Sequence, residues 1–211
     1  MDPLTAVARA GATEVLVLLA HPDDEVLLCG GTIAALVDAG CDVHVVCFCA
    51  CNRGRNDAFP RACAQLGATG ELLAGHSDSG MVLDGELVAV TDGLIRERRP
   101  GCVITHTKAG SQNQDHAVLH EAVRMSAVRC SAPTMLLAAE PPLSSAGFAP
   151  SLFIDVEPYF KTKCSAIEPY RELFDRDYMT DEYMRIRARW WGQVAGRAGA
   201  LVEAYELVLW R

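Results

Sequence analysis

The feature that most constrains this chain is its alternation of short apolar runs with segments of helical spacing. Glu14 to Leu19 (EVLVLL) is rich in β-branched and aliphatic residues and too short for a helix, so it reads as a buried strand. Helical spacing follows over Gly30 to Ala39, closed by Gly40, and the pair repeats as a strand over Asp42 to Cys49 and a helix over Asp57 to Leu66. Glu71 to Ala74, Glu86 to Arg98, Cys102 to Thr105 and His116 to Cys130 continue the rhythm as strand, helix, strand, helix. Short connections between alternating strands and helices predict an α/β fold. It is Rossmann-like, a mostly parallel sheet with helices on both faces and its active site at the carboxyl ends of the strands. The last third carries strands over Met135 to Ala139 and Leu152 to Asp155, helices over Pro158 to Leu173 and Thr180 to Ala198, and an aromatic-rich close from Ala204 to Trp210. No linker divides the sequence, so residues 1–211 are expected to form a single domain.

Composition narrows the partners. Half of the 211 residues are apolar, which suffices for a full core, and the net charge is −8. A chain this acidic has no bulk attraction to nucleic acid, which needs clustered Lys and Arg. No apolar run is long enough for a signal segment or a membrane span, so a cytoplasmic location is expected. The nine cysteines contain no C-x-x-C pair, and Cys47 and Cys49 alternate on a strand, so they read as small buried apolar groups. The adjacent Trp190 and Trp191 fit either a core or an interface between copies, which leaves a homo-oligomer open.

Ligands of an open parallel sheet bind beyond the strand carboxyl ends, and there the ionisable residues of this chain accumulate. The first strand is followed by His21-Pro22-Asp23-Asp24-Glu25, the second by Asn52-Arg53-Gly54-Arg55-Asn56-Asp57, the third by His76-Ser77-Asp78, and the fourth by His106 and then Asn113-Gln114-Asp115-His116. A His beside two carboxylates between a buried strand and a helix start is not called for by packing. Helix capping accounts for part of it; a divalent metal accounts for more, since His nitrogen and carboxylate oxygen suit Zn²⁺. His116 is the first choice for a third ligand and His106 the second. His120, one helical turn beyond His116, reads as part of a polar helix face, and His44 as structural.

Taken together, Ala20-His21-Pro22-Asp23-Asp24-Glu25, Thr105-His106 and Asn113-Gln114-Asp115-His116 resemble the LmbE-like, or PIG-L, family of zinc-dependent N-deacetylases. Asp78, Phe148-Ala149-Pro150, Phe153-Ile154-Asp155 and Val202-Glu203-Ala204-Tyr205 extend the resemblance over most of the chain. It implies that His21, Asp24 and His116 hold one Zn²⁺ and that Asp23 is the general base on water. It also implies that the substrate is a small-molecule N-acetyl amino sugar or conjugate, contacted by Arg53 and Asp78, with His106 also at the substrate site. The chain departs from the family in two places. Many members have His where this chain has Asn113, which donates a hydrogen bond but delivers no proton, so Asp23 is expected to act as both base and acid, with His106 or His120 as a separate acid the alternative. The Glu140 to Gly147 stretch also differs, so the identity of the sugar does not carry over. The competing readings are a metal-dependent hydrolase of another acyl or glycosyl bond and a non-catalytic sugar-binding relic. A nucleotide-binding module is disfavoured, because Cys29-Gly30-Gly31 is a poor phosphate loop and HPDDE repels phosphate.

Overall fold

A computed structural model of the chain describes residues 13–109, 111–143 and 147–211. Seven strands form one sheet in the order β3-β2-β1-β4-β5-β7-β6. In chain order these are β1 (Glu14–Leu19), β2 (Asp42–Ala50), β3 (Thr69–Ser77), β4 (Cys102–His106), β5 (Met135–Ala139), β6 (Leu152–Asp155) and β7 (Val202–Trp210). The first five run parallel. β7 enters antiparallel between β5 and β6, so the aromatic-rich close of the sequence is a strand that extends the sheet.

The continuous apolar runs follow from burial on both faces. Val15, Val17 and Leu19 join one core cluster beneath α1 (Asp24–Asp38), α2 (Arg53–Leu66) and α5 (Phe160–Arg171). Leu16, Leu18 and Ala20 point to the other face, into a second cluster with α3 (Gly85–Arg98) and α4 (Gln114–Arg129). The last helix, α6 (Asp181–Val194), lies beside β7. Cys47 and Cys49 are fully buried, as small apolar groups should be. Among the described residues, no helix is long and apolar enough to cross a membrane.

Two helix starts differ from the periodicity reading, and both differences matter to the site. α1 begins at Asp24 rather than Gly30, with a break at Cys29 (φ −142°, ψ 18°). The first turn carries Asp24 and Glu25, whose charge hides it from an apolar-periodicity reading. Past the break, the buried Glu203 carboxylate of β7 accepts the N–H groups of Gly31 (3.0 Å) and Thr32 (2.8 Å), while Lys163 of α5 donates to it at 2.6 Å. A Cβ on Gly31 would lie 2.6 Å from Cβ of Val156, so glycine is needed for this approach. α2 likewise begins at Arg53, capped by the Asn52 side chain, and not at Asp57.

The strand order reverses between β1 and β4. From β1 the chain moves outward to β2 and β3, then returns to place β4 on β1's other side. In a sheet of this kind the crevice at that reversal receives ligands.

Candidate active site

β1 ends at the reversal and delivers His21 to Glu25 into it. Asp23 is the N-cap residue of α1, yet its side chain caps nothing. Its backbone is left-handed (φ 112°, ψ −26°), a conformation that costs an Asp of order 1–3 kcal/mol. Three contacts hold it there. The Asp23 N–H donates to Glu25 Oε2 at 3.0 Å, the Tyr170 hydroxyl of α5 donates to Glu25 Oε1 at 2.6 Å, and Arg55 Nη2 donates to Asp23 Oδ2 at 2.9 Å. Arg55 also grips the Pro22 carbonyl with Nε and Nη2 (3.2 and 2.9 Å) and reaches Asp78 Oδ2 at 3.3 Å.

Ligand atoms of His21, Asp24 and His116 converge within 4.8 Å of one another, and all three residues are buried. Asp24 Oδ2 lies 3.4 Å from both His21 Nδ1 and His116 Nε2. It also accepts the His21 N–H at 2.8 Å, which aims the carboxylate. Both nitrogens of His116 are buried with no hydrogen-bond partner. An imidazole left bare in this way, facing a carboxylate and a second imidazole, belongs to a donor set that could hold a divalent metal. His106 stacks on His116 with centroids 3.8 Å apart and planes 11° from parallel, which fixes the ring.

Burial and neighbouring charge set the ionisation of the cluster. Burial would raise the Asp24 carboxyl, but His116, His106 and His21 hold it well below the usual range. Burial pushes Asp23 up to about 7, against the pull of Arg55 and with the push of Asp24. Burial drives Glu25 up to about 8 despite the Tyr170 hydrogen bond. Burial and the neighbouring His116 press His106 well below its ordinary value, so His106 is neutral, and its Nε2 accepts the Ala20 N–H at 2.9 Å.

A cleft of about 530 Å³ opens on this cluster, lined by His21, Asp23, Asp24, Arg55, Asp78, Asn113, His116 and neighbours. Seven of the eight residues singled out from sequence therefore lie in or against the site. Asn113 caps α4, its Oδ1 taken by the Asp115 N–H at 2.9 Å, which leaves Nδ2 to donate. His106 is fully buried behind the lining, where it supports His116 rather than facing the cleft. Arg53 is the residue the structure sets apart: its side chain is 94% exposed and pairs with Asp57. Arg55, two residues on, occupies the place expected of it. The helix start at Arg53 explains this, since it turns Arg55 towards Pro22 and leaves Arg53 on the outer side. His120 donates Nδ1–H to the His106 carbonyl at 2.7 Å, and His44 contacts Glu71 on the neighbouring strand. A second convergent group, His21, Cys49 and Asp115, shares His21 with the first, but the Asp115 oxygens are already engaged by the N–H groups of Ser79 and Met81.

At the reversal of strand order, this α/β sheet thus brings together a His/Asp/His group that could hold a metal ion and the Arg55-paired carboxylate of Asp23. Residues 16–127 match the family model PIG-L, GlcNAc-PI de-N-acetylase. The chain belongs to this family of de-N-acetylases, enzymes that hydrolyse amides. It is 25% identical over 169 residues to the uncharacterized deacetylase YaiS of Escherichia coli K12, covering 74% of this chain and 90% of that one. It is 30% identical over 182 residues to the 1D-myo-inositol 2-acetamido-2-deoxy-alpha-D-glucopyranoside deacetylase of Rhodococcus erythropolis, covering 66% of this chain and 60% of that enzyme. Similar solved structures include the N,N'-diacetylchitobiose deacetylase of Pyrococcus horikoshii (TM-score 0.78, 18% identity, 93% and 84% of the two chains). They also include the 4-carboxy-2-hydroxymuconate hydratase GalB of Pseudomonas putida (0.79, 21%, 94% and 97%). At these identities the structural likeness speaks to the fold alone.

Proposed function

We propose that this protein is a zinc-dependent N-deacetylase that hydrolyses the acetamide of an N-acetyl amino sugar or sugar conjugate. The observation that carries the reading is the convergence of His21, Asp24 and His116 with Asp23 beside them at the sheet reversal. Membership of a de-N-acetylase family and the sugar deacetylases among its relatives support it.

His21, Asp24 and His116 are the residues that would hold the ion. Zinc there would supply Lewis acidity, polarising the acyl oxygen and making water a nucleophile near neutral pH. Asp23 takes the proton of the attacking water. It delivers that proton to the departing amine nitrogen as the C–N bond breaks, giving acetate and the free amine. A carboxyl pushed up to about 7 is suited to both transfers. Arg55 keeps Asp23 aimed into the cleft. Asn113 donates Nδ2–H to the acyl oxygen as negative charge grows on it. Asp78 and Arg55 are the sugar contacts.

The test is elemental analysis joined to acetate release. About one zinc per chain in wild type and little in His116→Ala would place the ion. Asp23→Asn should retain zinc and lose about 10²–10⁴-fold in kcat. Near-normal turnover in Asp23→Asn, or no metal in wild type after zinc addition, defeats the reading.

A further inference from the structure

At the end of the sheet opposite the cleft, α3 and α4 finish close together. α4 runs from its Asn113 cap in the cleft to Arg129, a helix of 16 residues and therefore about 24 Å long. A cavity of about 340 Å³ opens where the two helices end. Arg96, Arg99, Arg129 and Ser131 line it, with Ile95 and Cys130 as its apolar part. None of its lining residues is acidic, in a chain whose net charge is −8.

Helix C-termini present bare carbonyls, which favour cations and repel anions. Here several of those carbonyls are already covered. Arg211 donates to the carbonyls of Ala127 (3.1 Å), Val128 (2.8 Å) and Cys130 (2.9 Å), and the Ile95 carbonyl accepts the Arg99 N–H at 2.9 Å. Asp92 balances part of the remaining positive charge. It accepts two hydrogen bonds from Arg129, at 2.9 and 3.0 Å, and lies 3.6 Å from Arg96. Arg99 is left over: among the described residues its guanidinium has no hydrogen bond or ion pair.

The backbone of Arg99 sharpens the question. It closes α3 in the left-handed region (φ 48°, ψ 50°), where glycine is the usual residue. Pro100 follows directly and narrows the conformations open to it further. A glycine would take this position without strain, so the turn does not account for an arginine. Strain of this kind persists where the side chain has a use.

We propose that this cavity binds a phosphate group, as the free ion or on a small monoester, with Arg99 as its principal ligand and Arg96, Arg129 and the Ser131 hydroxyl around it. Guanidinium forks match phosphate oxygens bidentately. Three guanidiniums, offset by the Asp92 carboxylate alone, leave a positive surplus that suits a phosphate dianion. The site is separate from the cleft, and it stands or falls independently of the deacetylase reading.

The experiment titrates inorganic phosphate and glycerol 3-phosphate into the full chain by calorimetry, with ionic strength held constant by chloride. Wild type should bind at least one of them with a Kd of about 1 mM or tighter. Tighter binding of glycerol 3-phosphate would support the monoester as the ligand, and tighter binding of phosphate the free ion. Arg99→Gly should weaken binding at least about tenfold, and Arg96→Gln should weaken it in the same direction. His116→Ala should leave it unchanged, because that residue lies in the cleft at the other end of α4. Without phosphate, Arg99→Gly should also raise Tm by about 2–4 °C, since glycine relieves the left-handed backbone. No binding at about 10 mM of either probe would overturn the inference. So would binding that survives in Arg99→Gly, binding that His116→Ala abolishes, or a lower Tm in Arg99→Gly, which would make the arginine a structural tie.

Discussion

Asp115 Oδ2 lies 3.0 Å from His21 Nε2 and accepts a hydrogen bond from it, although 94 residues separate the two. Asp115 is fully buried and is itself fixed by the N–H groups of Ser79 (2.7 Å) and Met81 (3.1 Å). With Nε2–H committed to Asp115, His21 turns Nδ1 towards Asp24. One dipeptide, Asp115-His116, thus provides a metal-facing imidazole and the carboxylate that orients another. Asp115→Ala should weaken zinc binding about 10–100-fold, read by competition with a chelator of known affinity. An affinity equal to wild type in a folded Asp115→Ala protein would show that the contact only fills space.

Arg53 and Arg55 make a paired test of the helix start. Arg55→Ala removes the grip on Pro22, Asp23 and Asp78 together, so kcat/KM should fall at least about 100-fold. Arg55→Lys should recover little, because an ammonium cannot span those acceptors as the guanidinium does. Arg53→Ala should change kcat/KM less than about threefold, since its side chain stands in solvent. The reverse ranking in steady-state kinetics would overturn the placement.

Tyr170 holds Glu25, and Glu25 holds the left-handed backbone of Asp23. Tyr170→Phe leaves the Glu25 carboxyl buried without that donor, which should cost about 1–3 kcal/mol by urea unfolding. The same variant should lower kcat with little change in KM, because the freed backbone spoils the aim of Asp23 rather than the sugar contacts. A stability loss with kcat intact would make the pair a structural tie only.

The acid limb of stability has a group remote from the cleft. Burial works to raise the Asp92 carboxyl, but Ser126, Arg129 and Arg96 hold it below the usual range. Its two hydrogen bonds from Arg129, at 2.9 and 3.0 Å, join α3 to α4. A carboxyl depressed on folding contributes stability that is complete above its unfolded pKa of about 3.9 and is lost as pH falls through the folded value. Asp92→Asn should therefore cost about 0.5–1 kcal/mol at pH 7 and nothing near pH 2, measured as Tm against pH. A constant deficit across that range would argue for lost packing.

The alternation of apolar runs carries the parallel half of the fold, because a strand buried on both faces has to read as a continuous apolar block. The convergence of His21, Asp24 and His116 was legible for a related reason: charge packed against a buried strand end has few structural explanations. Other features left weaker marks. α1 opens on two buried acids, Asp24 and Glu25, and breaks at Cys29, so apolar spacing marks the helix only from Gly30. β7 alternates less cleanly and depends on long-range pairing with β5 and β6, which no local pattern specifies. Arg53 was singled out by the family resemblance, and only the folded start of α2 shows that Arg55, two residues on, is the one that faces the site. Tyr170 acts on Glu25 across 145 residues, and nothing in the sequence around it marks that role.

The Glu203 carboxylate that receives the N–H groups of Gly31 and Thr32 gives the order of synthesis a meaning. The helix bearing Asp24 and Glu25 emerges from the ribosome early, while the side chain that completes it beyond its break emerges more than 160 residues later. A nascent chain that has already made His21, Asp24 and His116 still lacks the strand that seats the helix of Asp24. Fragments ending before β7 would carry the whole motif without the strand that seats α1, so a competent site has to wait for β7.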